Sequence, residues 1–192
     1  MPLSAIDIDR EPIHTRAIEC RSFRREDGLW DIEGHLTDVK AYAFKNEFRG
    51  EVKPGEPLHD MWIRLTVDKD FIVQSVEAHT DQGPFELCPA ILPHFQKLKG
   101  LKIGPGWNRR VRENLGGAHG CAHLVDLLKP IATVAFHTVR FSNSESVNTE
   151  KDRKKPVSYR PPVNSCHVWS SDGDMIRTKY PDFYTGKKPC RR

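Results

Sequence analysis

The stretch Leu29-Trp30-Asp31-Ile32-Glu33-Gly34-His35-Leu36-Thr37-Asp38-Val39 alternates apolar and polar side chains. That is the period of a strand with one face on a core and the other in water. Upstream, residues 13–24 (Ile-His-Thr-Arg-Ala-Ile-Glu-Cys-Arg-Ser-Phe-Arg) alternate more loosely, and Arg25-Glu26-Asp27-Gly28 between the two is a turn signal. Together they predict a β-hairpin. Downstream, Pro54-Gly55-Glu56-Pro57 is a break. Met61 to Asp68 then reads as a third strand, Lys69-Asp70 as a turn, and Phe71 to Thr80 as a fourth strand. Consecutive strands joined by short turns predict an antiparallel meander.

The pattern then changes. Pro84 to Leu101 reads as one or two helices carrying Phe85, Leu87, Ile91, Leu92, Phe95 and Leu98, with Pro89 and Pro93 limiting their regularity. Gly100 to Gly106 is a glycine-rich loop and Trp107 to Leu115 a short helix. Gly116-Gly117 opens a last helix expected to run to about His137 despite Pro130. Strands first and helices later, without βαβ alternation, predict an α+β fold: a β-meander with helices packed on one face. Residues 142–165 are polar, charged and Pro-rich and read as a linker. Residues 166–184 read as a small terminal hairpin, with a turn at Ser171-Asp172-Gly173-Asp174. The expected organisation is a core domain over 1–141, and a linker and C-terminal extension over 142–192 that packs back on it.

At 192 residues, 38% hydrophobic and 29% charged, the chain is long enough for one cored domain with an extension. No apolar run approaches the roughly 18 residues that span a bilayer. The first ten residues, Met1 to Arg10, lack the basic start and apolar centre of a signal peptide, so a cytoplasmic protein is expected. Five scattered cysteines (Cys20, Cys88, Cys121, Cys166, Cys190) read as free thiols or ligands in a reducing compartment. The net charge of +4 is concentrated late, in Lys151 to Lys155 and Lys187 to Arg192. These clusters read as solvated tail rather than a nucleic-acid surface, since no stacking platform or groove-reading helix accompanies them. Exposed strand edges favour a homo-oligomer, a dimer first.

The chemistry-bearing residues centre on Gly116-Gly117-Ala118-His119-Gly120-Cys121-Ala122-His123-Leu124. Glycine followed by a helical pattern puts Cys121 at a helix N-terminus, where N–H groups and the macrodipole favour a thiolate. His59-Asp60 precedes the third strand and Cys88 follows the fourth. A meander with helices on one face brings these positions to one end of the sheet. His59, Asp60, Cys121 and His123 are therefore the expected catalytic groups, with Trp62, Trp107 and Arg109 for substrate binding. His59, Cys88, His119 and Cys121 form the candidate metal set; mixed imidazole and thiolate suit zinc or iron. No Gly-x-Ser-x-Gly elbow, phosphate loop or dinucleotide fingerprint occurs. That leaves a lyase or hydrolase of a small metabolite, either metal-assisted or using Cys121 as nucleophile and His or Asp as base. The alternatives are a non-enzymatic metal or iron–sulfur carrier, and a binding module that recruits an acidic partner through the basic tail.

Leu29 to Asp38, His59-Asp60-Met61, Cys88, Gly120-Cys121-Ala122-His123-Leu124, Cys166-His167 and Tyr180-Pro181-Asp182-Phe183-Tyr184 together resemble the bacterial domain-of-unknown-function family 2889 over roughly residues 10–186. Such families' association with aromatic or steroid breakdown implies a small-molecule enzyme, with an aromatic substrate in view. Residues 57–139 distantly resemble the NifU-type iron–sulfur scaffold fold. That resemblance implies ligand roles for Cys88 and Cys121, at its second and third cysteine positions, and places His59 near its aspartate. Pro57 stands near its first cysteine, and Gly120 replaces its histidine one residue from His119.

Overall fold

In the computed structural model the opening hairpin is β1 (His14–Arg24) and β2 (Trp30–Lys40), paired antiparallel. The turn between them closes through Arg25 N–H donating to the Leu29 carbonyl at 2.9 Å. β5 (Pro57–Val67) and β6 (Val73–Gln82) extend the same sheet in the order β1-β2-β5-β6. A second hairpin, β3 (Phe44–Asn46) and β4 (Gly50–Val52), is inserted between β2 and β5. Its three-residue strands are too short to print an alternation on the sequence. The fold is α+β, as the order of elements predicts.

Alternation assigns each strand residue to a face. Trp30, Ile32 and Leu36 of β2 and Met61, Ile63, Leu65 and Val67 of β5 are buried on the inner face. The outer face is a polar ladder: Arg64 donates to Glu33 and Glu77, each at 2.8 Å, and Thr66 donates to Asp31 at 2.7 Å.

The helices cover the inner face. α1 (Trp107–Leu115) buries Trp107, Val111 and Leu115. α2 (Ala122–Ser142) lies on β1, β2 and β5, with Leu124, Leu127, Leu128, Ile131, Ala135 and Val139 buried at helical spacing. Its close approach uses Gly34: a Cβ there would stand 2.6 Å from Ile131 Cδ1. The segment expected as α-helix between Pro84 and Leu101 is instead a 3-10 helix, Cys88–Leu98. Pro89 at its start and Pro93 inside it have no N–H for an α-ladder.

The structure describes residues 7–142 and 161–186. They fall into two compact units, one within residues 1–146 and one within 147–192. The second unit holds short helical turns, His167–Trp169, α3 (Asp174–Lys179) and Pro181–Phe183, instead of the expected hairpin. Gly173 does turn the chain, its N–H donating to the Ser170 carbonyl at 2.9 Å. Asp174 then enters the first turn of α3, where a carboxylate favours helix over strand. Most of the 142–165 linker, both basic clusters and Cys190 lie outside the described residues. Among the described residues no helix is long and apolar enough to cross a membrane.

Candidate functional site

The cross-strand register builds the site. Arg16 of β1 pairs with Asp38 of β2, and Asp38 pairs with His59 of β5. Directly opposed residues share a face, and here it is the inner one. Asp38 is 1% exposed, an ionisable group on the apolar phase of its strand. A β-bulge follows it at Asp38/Val39, a feature that re-aims side chains next to functional sites. α2 adds His123 from its first turn.

Asp38 is held from several sides. Arg16 Nε donates to Oδ1 and its terminal nitrogen to Oδ2, both at 2.7 Å, in a bidentate fork. His14 Nε2 lies 3.1 Å from Oδ1. Arg16 is itself tied to Asp126 of α2 at 2.9 Å. Burial alone would raise the Asp38 pKa, but the Arg16 and His14 hydrogen bonds outweigh it and hold it down to about 2. Asp38 is a carboxylate throughout the physiological range.

The two imidazoles stack on each other, centroids 3.6 Å apart and planes 29° from parallel. His59 Nδ1 lies 3.0 Å from Asp38 Oδ2. The distance suits a hydrogen bond but the direction does not, and this buried nitrogen has no hydrogen-bond partner. Burial, and then the neighbouring His123, push the His59 pKa down to about 4 against the opposing pull of Asp38. His123 Nε2 stands 3.7 Å from Asp38 Oδ2. Its pKa is lowered too, by burial and then by Arg16. Both rings are therefore neutral at pH 7. Of the two, His123 is the more open to solvent, 27% exposed against 10% for the His59 side chain.

Cys121 lies at the start of α2, its carbonyl accepting the Val125 N–H at 2.9 Å. Its half-buried Sγ is 3.9 Å from His123 Nδ1 and 3.9 Å from Met61 Sδ. The glycine before it is required by contact. A Cβ at Gly120 would fall 2.2 Å from the Leu115 carbonyl oxygen, although the Gly120 φ of −152° suits any residue.

The structure thus brings His59, His123 and Cys121 to one place and adds Asp38, Arg16 and His14. Asp60 goes elsewhere. β5 starts at Pro57, so His59 and Asp60 are successive strand residues on opposite faces, and Asp60 bonds His35 Nε2 at 2.7 Å on the outer face. Trp62 shares that outer face, stacked on His35 at 3.7 Å and donating to Asp81 at 3.1 Å. It lines a groove of about 250 Å³ with Glu33, Arg64, Glu77 and His79, on the other side of the sheet from the cluster. Trp107 is core, its indole N–H donating to the Leu128 carbonyl at 3.1 Å. Arg109 is exposed beside Glu113 at 3.6 Å. Cys88 packs against Gly83. His119 sits in the turn before α2, its carbonyl 3.2 Å from His94 Nδ1.

Among the described residues, the group of three or more ligand-type side chains with converging atoms is Asp38, His59 and His123, all within 4.8 Å of one another. The donor set is nitrogen and oxygen. Cys88, Cys121 and His119 do not join His59 in it, and among the described residues no group of thiols is gathered of the kind that holds an iron–sulfur cluster.

The family model described as "Protein of unknown function (DUF2889)" matches residues 14–137, and the chain belongs to that family. The matched span runs from β1 into α2 and contains every residue of the cluster. No curated protein and no solved structure matches the chain. The likeness of residues 57–139 to the NifU-type scaffold therefore rests on its residue pattern alone.

Proposed function

We propose that the protein is a lyase or hydrolase of a small metabolite, reacting at the Asp38–His59–His123 end of the sheet. The observation that carries this reading is a pair of neutral, stacked imidazoles against a buried, ionised carboxylate, with one ring open to solvent. Such a pair has few uses in a core, where stacked apolar side chains would pack without desolvating a charge. It suits proton transfer. His123 takes a proton from a substrate or from water, and Asp38 stabilises the imidazolium that forms. Arg16 and His14 hold the carboxylate in place. Cys121 stands where it can serve as a partner of His123 or, in a covalent variant, as the nucleophile.

An aromatic or otherwise apolar substrate is supported by the β3–β4 hairpin. It grows from the strand ends that carry Asp38 and His59 and presents Tyr42 and Phe48 at 44% and 54% exposure. The setting we infer is cytoplasmic, where Cys20, Cys88, Cys121 and Cys166 stay free. A homodimer through the open β1 edge belongs to the same proposal.

The test is turnover of a panel of aromatic esters, thioesters and hydroxy acids, followed by mass spectrometry. Activity that disappears in His123→Gln and His59→Gln, with melting temperatures near the parent's, supports the reading. No turnover across the panel, or turnover indifferent to both substitutions, overturns it.

A further inference from the structure

We propose that Asp38, His59 and His123 bind one divalent transition-metal ion, zinc or iron(II), through Asp38 Oδ2, His59 Nδ1 and His123 Nε2. The proposal rests on reading this cluster as the reaction centre, and it specifies what that centre holds.

The tautomer with Nδ1–H is the one that leaves a ligand lone pair on Nε2. In it Nδ1–H donates to Cys121 Sγ, 3.9 Å away, and the thiol donates to Met61 Sδ, also 3.9 Å away. His123 then carries its lone pair on Nε2, and Nε2 faces Asp38 Oδ2 at 3.7 Å. A nitrogen lone pair and an anionic oxygen repel unless a cation or proton stands between them. A metal-bound histidine whose other ring N–H is fixed by an outer partner is the usual arrangement.

His59 supplies the second, independent sign. Its side chain is nine-tenths buried, and Nδ1 lies 3.0 Å from the same Oδ2 without a hydrogen bond. Leaving such a nitrogen unsatisfied in the interior is costly, and an ion would relieve that cost.

The spacing is right for coordination. Ligands about 2.0–2.2 Å from zinc stand roughly 3.3–3.5 Å apart in a tetrahedron. The two separations from Oδ2, 3.0 and 3.7 Å, lie on either side of that range. To bring both lone pairs onto one ion the stacked rings must tilt apart, a movement that the broad terminal torsion of the partly exposed His123 ring allows.

Asp38 has capacity left for one ion. Arg16 takes Oδ1 and a single lone pair of Oδ2, leaving the second lone pair for monodentate ligation. Asp126 offsets the guanidinium charge. Two imidazoles and one carboxylate leave coordination positions open, as in catalytic rather than structural sites. Such an ion would polarise a substrate oxygen or activate water, and it would do so in place of direct proton transfer by His123, whose lone pair it takes up.

The experiment uses the full chain, purified without a histidine tag, stripped with chelator and titrated with zinc alone by calorimetry and elemental analysis. Expected are one zinc per chain and a loss of affinity of at least about 100-fold in His123→Gln. His123 is partly exposed, so that variant keeps the fold; His59→Gln is the second ligand variant, read beside its melting temperature. Cys88→Ser should bind zinc as the parent does. No zinc binding by the folded parent, parent-like affinity in His123→Gln, or loss of binding in Cys88→Ser overturns the proposal. Turnover that survives complete metal removal overturns the metal and leaves the enzyme reading standing. One tightly held zinc with no turnover of any panel substrate overturns the enzyme reading and leaves the metal.

Discussion

Gly34→Ala tests the contact that sets the distance between α2 and the sheet, and hence between His123 and Asp38. A Cβ at residue 34 would lie 2.6 Å from Ile131 Cδ1, 3.0 Å from Ile131 Cγ1 and 3.5 Å from Leu127 Cβ. Ordinary carbon–carbon contacts are about 3.5–4.0 Å, so the helix must retreat by about 1 Å or Ile131 must leave its rotamer. Ile131 is fully buried, in an interior that is close-packed as a rule. Overpacking of this kind costs about 1–3 kcal/mol. Replacing a mid-strand glycine with alanine returns about 0.5–1 kcal/mol of chain entropy. The expected net loss is about 1.5 kcal/mol, read in urea as a midpoint lower by roughly 0.7 M. Ile131→Val removes Cδ1, the closest atom, and alone costs about 1 kcal/mol. In the double variant the two losses should fall short of their sum by about 1 kcal/mol. A Gly34→Ala midpoint at or above the parent's, or strict additivity with Ile131→Val, would refute the close-approach account. The predicted retreat starts at Ile131, about two helical turns from His123 on the same helix, so the variant should also bind zinc more weakly.

Gly120→Ala should be costlier, about 3 kcal/mol by denaturation, because its Cβ meets a backbone oxygen that no rotamer change can move. In chelator-treated protein, His59 makes folding acid-sensitive. Its folded pKa near 4 lies below the unfolded 6.5, so the unfolded chain binds more protons between the two. Stability is then complete above about pH 6.5 and declines by on the order of 3 kcal/mol as pH falls through 4. Melting curves of parent and His59→Gln should diverge above pH 6 and converge near pH 4. Arg16→Gln should destabilise more than Asp38→Asn, by about 3 against about 1–2 kcal/mol in urea. The first strands a buried carboxylate, whereas the second leaves a guanidinium that is 36% exposed and can rehydrate. Iodoacetamide with peptide mapping should label exposed Cys166 first and Cys20 late, since burial raises the Cys20 thiol's pKa.

The parts of the fold that were legible are those where one period runs long enough. β2 alternates over eleven residues, and α2 repeats its apolar stripe from Leu124 to Val139. The three-residue strands of the β3–β4 hairpin carry no such signal. His123 and Cys121 stood out by composition, but Asp38 did not, because a carboxylate inside an alternating segment looks like another outward polar residue. Its phase was the available signal: it falls in step with Trp30, Ile32 and Leu36. Asp60 shows the converse. Pro57 suggests a break and His59-Asp60 a loop pair able to converge, whereas inside a strand neighbours must diverge.

The bulge beside Asp38 has an engineering consequence. It absorbs the mismatch in residue count between the two strands before the chain leaves for the β3–β4 arm. Lengthening, trimming or exchanging residues 41–56 is thereby decoupled from the parity that aims Asp38 and His59 inward. The arm is a cassette: its aromatics can be traded for another selectivity while the reacting groups keep their frame.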